Sequence, residues 1–180
     1  MIQRRRLLTL TLMLGLAVFP GLARTAEPLK IAFVDTGNTG RSLMAETLAR
    51  AMIAKRGMSL AVISRGLDID PFDEAPEANA AILMTQRGFK VAGHRARRLD
   101  AADVIHADLI LTLTAKHAAS VESLYPAAKG KTFTLAAYAS GEEADIPDAW
   151  GKPMAAYRAV LAQLDRYLPL ALARAAAIKR

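Results

Sequence analysis

Cysteine is absent from the whole 180-residue chain. Neither a disulfide bond nor thiol chemistry is therefore available to this protein. The fold must depend on its apolar core, and hydrophobic residues make up 53% of the sequence, which is enough to build one. The length suits one domain and is short for two. Internal repeats and low-complexity linkers are also lacking, which again favours a single domain.

Aromatic residues are scarce, at 6% of the chain, and they do not alternate with lysines and arginines in any basic run. The net charge of +7 therefore predicts mild attraction of anions and no nucleic-acid partner. There are three histidines, and no two of them have the spacing of metal ligands. We predict neither a metal nor a cofactor.

The first 26 residues have the three-part pattern of a secretory signal peptide. Arginines at positions 4–6 precede an apolar run, Leu7–Phe19, which is short for a membrane span. We expect cleavage after Ala23 or Ala26, export to the periplasm or the medium, and no membrane attachment afterwards. An uncleaved anchor is the alternative. Cleavage after Ala23 removes three arginines and lowers the formal charge from +7 to +4, and residues 27–180 are predicted to form the domain.

Beyond residue 26, predicted strands alternate with predicted helices, an order typical of a parallel sheet. Short apolar runs predict strands at Leu29–Val34, Leu60–Ser64, Asp108–Leu113 and Lys131–Leu135. Helical spacing of apolar residues predicts helices at Ser42–Arg56, Glu77–Arg87, Ala101–His106, Ala115–Leu124 and Pro153 to about Ile178. Polar loops are predicted at Asp68–Pro76 and Ser140–Trp150. We therefore predict an α/β fold, a three-layer sandwich whose four-stranded parallel sheet is flanked by helices.

A small-residue loop separates the first predicted strand from the first predicted helix. Ligands of such sheets bind at the carboxyl ends of the strands, where this loop lies. Its glycines allow backbone N–H groups to point inward, and the helix that follows contributes its positive N-terminal end. Arginine at the end of the loop adds a planar donor for phosphate-like oxygens. The predicted anion-binding loop comprises Thr36, Gly37, Asn38, Thr39, Gly40 and Arg41. A plain turn with a solvated arginine is the alternative.

The stretch FVDTGNTGRSLMAE around this loop resembles the signature of low-molecular-weight protein tyrosine phosphatases and of arsenate reductases with the same fold. In that family, Cys is followed by five residues, Arg and Ser, and then by Pro-Met-Ala-Glu. Four more segments occur in the family's order: SRGL, GHRARRL, DLILTLTAKH and DIPDAWG. The resemblance covers essentially the whole of residues 27–180 and implies a low-molecular-weight phosphatase-like fold.

The resemblance also implies roles for individual residues. Asn38 corresponds to the asparagine that braces the loop, and Arg41 to the arginine that clamps phosphate. Ser42 corresponds to the hydroxyl that activates the nucleophile. Asp148 corresponds to the general acid that protonates the leaving group. Asp35 stands where the family has its nucleophilic cysteine.

Other positions also depart from the family pattern. Gly40 stands where many members have a second cysteine. Leu43 replaces the proline that opens the helix, and Ala149 replaces the proline after the general acid. Trp150 keeps an aromatic side chain near the mouth of the site. Arsenate reduction is excluded because it requires a cysteine relay.

A carboxylate at position 35 changes the expected chemistry. Carboxylates can attack phosphorus, but enzymes that form aspartyl phosphates typically recruit Mg²⁺ through further carboxylates. Gly37 stands where the usual partner carboxylate would be, and the acidic residues Asp70 and Asp73 are expected in a distant loop. We therefore hypothesise that Asp35 pairs with Arg41 and competes with a phosphate dianion for the loop.

Three functions follow from these residues. The favoured one is an exported phosphatase-like protein without phosphatase turnover, a pseudoenzyme that binds a phosphate-like anion or a phosphoprotein partner. The second is an active phosphomonoester hydrolase, with Asp35 as nucleophile or base and Asp148 as general acid. The third uses Asp35 and Asp148 to bind a metal or a cationic ligand. Two histidines are predicted to lie outside the pocket. His94 is expected at the sheet edge and His117 on a helix surface.

Overall fold

The computed structural model describes residues 27–178, so the predicted signal peptide lies outside the described residues. The strands are β1 Leu29–Asp35, β2 Leu60–Gly66, β3 Leu109–Thr112 and β4 Thr132–Thr134. The α-helices are α1 Arg41–Arg56, α2 Ala78–Gln86, α3 Ala101–His106, α4 Ala115–Leu124, α5 Leu135–Ser140 and α6 Met154–Ala176. A single 3₁₀ turn, Pro126–Ala128, precedes β4. Across residues 27–178, no helix combines the length and the apolar character needed to cross a membrane.

The four strands form one sheet in the order β2-β1-β3-β4, and every pairing is parallel. β1 lies inside the sheet, between β2 and β3. Its register places Phe33 between Ser64 and Leu111. The predicted four-stranded parallel sheet is confirmed, and the loop after β1 leaves the sheet at the carboxyl ends of its central strands.

Alternating residues of β1 pack into two separate cores, because successive side chains of a strand point to opposite faces. Ile31 and Phe33 belong to a large core that includes buried residues of α1 and α6. Ala32 and Val34 belong to a smaller core with buried residues of α3 and α4. Helices therefore cover both faces, and the predicted three-layer arrangement is confirmed.

The start of α1 and the presence of α5 differ from the prediction. α1 begins at Arg41 rather than Ser42. Its N-cap residue is Gly40, which has no side chain to accept a hydrogen bond from the first turn. Gly57 ends α1 in the left-handed conformation, with φ of 60°, as its position predicted. α5 was not predicted, because a six-residue helix is too short to show a clear period in the sequence. It is stabilised by Thr134, whose side chain accepts the Ala137 N–H.

The segment after α2 returns to the sheet beside β2. The Gly66 N–H donates to the Arg97 carbonyl, and the Leu99 N–H donates to the Gly66 carbonyl, both at 2.8 Å. This places the basic GHRARRL segment at the sheet edge, as expected. It also brings residues 94–97 against the loop that follows β1.

Candidate active site

The loop after β1 is bonded to the chain that follows β2. The Leu67 N–H donates to the Asp35 carbonyl at 3.0 Å, and the Asp68 N–H donates to the Thr36 carbonyl at 2.9 Å. Gly66 makes this approach possible, because a Cβ there would lie 2.6 Å from the Thr36 carbonyl oxygen. The two strand ends therefore build one site.

The Asp35 carboxylate is directed into its own loop. Its Oδ1 accepts the Asn38 N–H at 2.7 Å, and its Oδ2 accepts the Ser42 N–H at 2.9 Å. The residue is 3% exposed. Burying a carboxylate is unfavourable unless hydrogen bonds compensate the lost water, and these two backbone donors do so.

Asn38 braces the loop from its inner side. Its backbone is in the left-handed region, with φ of 57°, where asparagine is better tolerated than most residues. Its Nδ2 donates to Ser42 Oγ at 3.0 Å, and its Oδ1 accepts the Arg97 N–H at 2.9 Å. His94 Nε2 lies 2.6 Å from the Asn38 carbonyl oxygen. Asn38 thus ties α1 and the GHRARRL segment to the loop.

Arg41 is bound to the loop that carries Asp148. Its Nη2 lies 3.2 Å from Asp148 Oδ2, and its Nη1 donates to the Ile146 carbonyl at 3.2 Å. Within residues 27–178, no ion pair joins Arg41 to Asp35. The predicted Asp35–Arg41 pair is therefore wrong. Backbone N–H groups satisfy Asp35, and this leaves the guanidinium to the residue 146–148 segment.

A pocket of about 240 Å³ opens above the loop. Its charged lining consists of one arginine and six carboxylates: Arg41, Asp35, Asp68, Asp70, Asp73, Glu77 and Asp148. Trp150 also lines it, with 66% of its surface exposed. The prediction that the acidic loop lies far from Asp35 is therefore wrong. Hydrogen bonds between residues 67–68 and β1's loop bring Asp70 and Asp73 to the same pocket, which the order of residues in the chain could not reveal.

Glu77 is a pocket residue that the sequence did not indicate. Its Oε1 accepts the Thr39 hydroxyl at 3.1 Å, and its Oε2 accepts the Tyr157 hydroxyl at 2.5 Å. A Cβ at Gly40 would lie 2.5 Å from Glu77 Oε1, so the carboxylate fills the space of the missing side chain. Burial raises the pKa of Glu77, and the negative charges of Asp148 and Asp35 raise it further.

His117 stands behind the loop and not on a helix surface, so that prediction is wrong. It is 7% exposed, and its Nε2 lies 2.9 Å from Thr36 Oγ1. It lies in the first turn of α4, which starts just past the carboxyl end of β3, beside the loop. Burial lowers the pKa of His117, and the Arg41 charge lowers it further.

The acidic lining does not form a preorganised metal site. Over residues 27–178, no three His, Asp or Glu side chains are grouped so that they could hold a metal ion. The carboxylates surround the pocket from three segments of the chain rather than converging on one point. The arrangement is a negatively charged cavity around a single arginine that is already paired.

The match to known proteins agrees with this geometry. A sequence model of the family described as low molecular weight phosphotyrosine protein phosphatase matches residues 30–180. The chain belongs to this family. Its relatives include a protein-arginine-phosphatase of Geobacillus stearothermophilus, 35% identical over 138 residues that cover 77% of this chain and 90% of the relative.

Solved structures of this phosphatase family share the fold. The YwlE arginine phosphatase from Geobacillus stearothermophilus has a TM-score of 0.74 and 32% identity, covering 81% of this chain and 92% of that one. A YwlE mutant with a phosphorylated active-site serine has a TM-score of 0.75 and 27% identity, covering 81% of this chain and 93% of that one. The low molecular weight phosphatase fold predicted from the sequence is confirmed.

Proposed function

We propose that this member of the low molecular weight phosphatase family binds a partner without phosphatase turnover, and that Asp35 occupies the position of the family's nucleophilic cysteine. The observation that carries the proposal is the pair of hydrogen bonds from Asn38 and Ser42 to the Asp35 carboxylate. Backbone N–H groups of a phosphate-binding loop are donors for an anion. Here a resident carboxylate takes two of them.

Electrostatics supports the same conclusion. A phosphate dianion in the loop would lie beside the buried Asp35 charge, and two unit charges 4 Å apart repel by roughly 4 kcal/mol near a protein surface. Arg41, which could offset this repulsion, is engaged by Asp148. A phosphate-like anion or a phosphoprotein would therefore bind against the charge of Asp35 and in competition with Asp148 for Arg41.

A phosphomonoester hydrolase is the second candidate. Asp35, Arg41 and Asp148 line one pocket, so a nucleophile, a clamp and a general acid are close together. The YwlE mutant also supports it, because a serine oxygen carries the phosphoryl group in that protein. Against it, each Asp35 oxygen accepts a backbone hydrogen bond, which stabilises the carboxylate and makes it a weaker nucleophile.

The test is hydrolysis of an aryl phosphate and of a phosphoarginine peptide, with and without Mg²⁺. We expect the natural protein to be inert and Asp35→Cys to turn over substrate. Arg41→Ala added to Asp35→Cys should abolish that turnover, whereas Arg95→Ala, an exposed arginine outside the pocket, should preserve it. Turnover by the natural protein that is lost in Arg41→Ala would instead establish the hydrolase.

Export is also part of the proposal. The basic start, the apolar run and the small residues before Ala26 support a cleaved signal peptide and a periplasmic or secreted protein. Fractionation of cells that express the full chain, with N-terminal sequencing of the product, tests it. A mature start at residue 24 or 27 in the exported fraction supports export. An intact Met1 in the cytoplasmic fraction contradicts it.

A further inference from the structure

We propose that Glu77 is a specificity-determining residue of the pocket, one that excludes phosphate dianions and favours the cationic guanidinium group of an arginine side chain. The inference rests on the proposed function, since it names the ligand of a site that no longer performs phosphatase chemistry.

Three residues hold the Glu77 carboxylate in place. Thr39 of the loop and Tyr157 of α6 each donate a hydroxyl to it, and the absence of a Cβ at Gly40 leaves room for its oxygen. The Glu77 N–H also donates to the Thr39 carbonyl at 3.0 Å. The carboxylate is therefore a fixed part of the loop wall. The space that a side chain at residue 40 would occupy is filled by the negatively charged Glu77 carboxylate.

Glu77 lines the same pocket as the carboxylates of Asp35 and Asp148. Burial raises the pKa of Glu77, and the negative charges of these two residues raise it further. Arg41 is the counter-charge in the lining, and it is paired with Asp148. An entering dianion meets repulsion from the loop itself and from the wall beside it, whereas an entering cation meets attraction from both.

The hydrogen-bond chemistry favours a guanidinium over other cations. Ionised carboxylates only accept hydrogen bonds, and a guanidinium presents five donors in a planar fork. Asp35 also places negative oxygens against two backbone donors of the loop. The relatives named protein-arginine-phosphatase are consistent with an arginine at this pocket. In this chain the loop already carries the negative charge of Asp35. The group complementary to that charge is an arginine without a phosphoryl group.

An exposed aromatic side chain also lines the pocket. Trp150 contributes it, with 66% of its surface exposed. Exposed aromatic rings next to carboxylates suit a planar cation, because a guanidinium stacks on a ring while it bonds to an acid. Phosphate has no such affinity for the face of a ring.

The experiment measures the binding of a cation, arginine, and of an anion, inorganic phosphate. The full-length mature protein is titrated with capped arginine, with capped citrulline as the neutral isostere, and with capped lysine, at low ionic strength by calorimetry or NMR. We expect arginine to bind more tightly than either control. Glu77→Gln should weaken arginine binding about fivefold, which is the scale of one partly exposed ion pair.

The phosphate arm uses Asp35→Ser, in which the loop donors are free. Adding Glu77→Gln to this variant should tighten binding of inorganic phosphate about fivefold, because one repelling charge is removed. A purely structural role for Glu77 would weaken both ligands, so the opposite signs identify a charge effect. Glu27→Gln, an exposed carboxylate before the opposite end of β1, should change neither affinity.

Equal binding of arginine and citrulline, or loss of both affinities in Glu77→Gln, would overturn the inference. Equal binding of lysine would overturn the preference for a guanidinium. If Glu77→Gln does not fold, Asp148→Asn is tested in its place. Removing that half-exposed negative charge should also weaken arginine binding. These outcomes are independent of turnover: hydrolysis by the natural protein overturns the proposed function, and unselective binding overturns this inference alone.

Discussion

Asp35 Oδ2 accepts the Ser42 N–H at 2.9 Å, so the last residue of β1 caps the helix that begins six residues later. The helix has no cap from its own N-cap residue, Gly40. A helix start leaves backbone N–H groups without partners, and a carboxylate also interacts favourably with the helix dipole. Asp35 therefore holds the loop together.

The first prediction concerns Asp35→Asn. One amide group cannot accept hydrogen bonds at both ends, so either the Asn38 or the Ser42 N–H would face an NH₂ group inside the loop. We expect the free energy of unfolding to fall by about 2 kcal/mol, the scale of a buried donor left unpaired. Urea denaturation at neutral pH measures the change.

Asp73→Asn is the matched control for the same chemical change. Asp73 is exposed and lies in the acidic loop of the same pocket. Its substitution should alter stability by less than about 0.5 kcal/mol. A loss of similar size in both variants would show that Asp35 has no special part in holding the loop.

The second prediction concerns the contact of Gly40 with Glu77. A methyl group at position 40 would displace the Glu77 carboxylate from Thr39 and Tyr157, so Gly40→Ala should lose about 1.5 kcal/mol of stability. In a Glu77→Ala background that part of the cost should disappear. A double-mutant cycle by urea denaturation isolates it, because backbone effects at residue 40 cancel. A coupling energy near zero would contradict the contact.

The third prediction concerns Gly66, where the loop crosses the end of β2. A Cβ there would lie 2.6 Å from the Thr36 carbonyl oxygen and 3.0 Å from the Asn38 nitrogen, and backbone atoms cannot move aside cheaply. Gly66→Ala should lower the free energy of unfolding by about 2 kcal/mol. Gly93→Ala, at an exposed glycine with open space around it, should have little effect. Equal stabilities of the two variants would rule out this steric account.

The fourth prediction concerns the pH dependence set by His117. Burial lowers its pKa in the folded state below its ordinary value of 6.5. The unfolded chain therefore takes up a proton more readily, so the contribution of His117 is present above pH 6.5 and is lost as pH falls from there. His117→Gln should flatten the unfolding free energy over this range.

The control for that experiment is His106→Gln. His106 is exposed at the end of α3, so this variant reports the effect of the same substitution at a site that is not buried. The measurement is urea denaturation at intervals between pH 7.5 and 5. If the His117 variant kept the full slope, burial of this ring would not be the cause.

Much of the fold could be predicted because its signals are local. Strand runs such as that of β1 are continuous and apolar, as strands covered on both faces must be. Their alternation with helices implies parallel pairing and a layer of helices on each face. The short α5 was missed because six residues are too few to display a helical period.

The loop residues could also be predicted from the sequence, because Asp35 to Ser42 form one contiguous stretch whose spacing indicates a nest of N–H groups. The residues that contact this loop could not be predicted. Arg41 binds Asp148, more than a hundred residues away, and His117 packs behind Thr36. Such contacts depend on where separate segments meet, and no local pattern encodes that.

The sequence alone determined the family, the sheet, the loop and the absence of a thiol, because each depends on residue types at short spacing. Only the tertiary structure decided the charge of the pocket. The chain after β2 folds back by hydrogen bonding to β1's loop, and α2 begins where Gly40 leaves room for Glu77. Six carboxylates from distant segments thereby face one paired arginine, and long-range electrostatics of this kind exist only once the chain is folded.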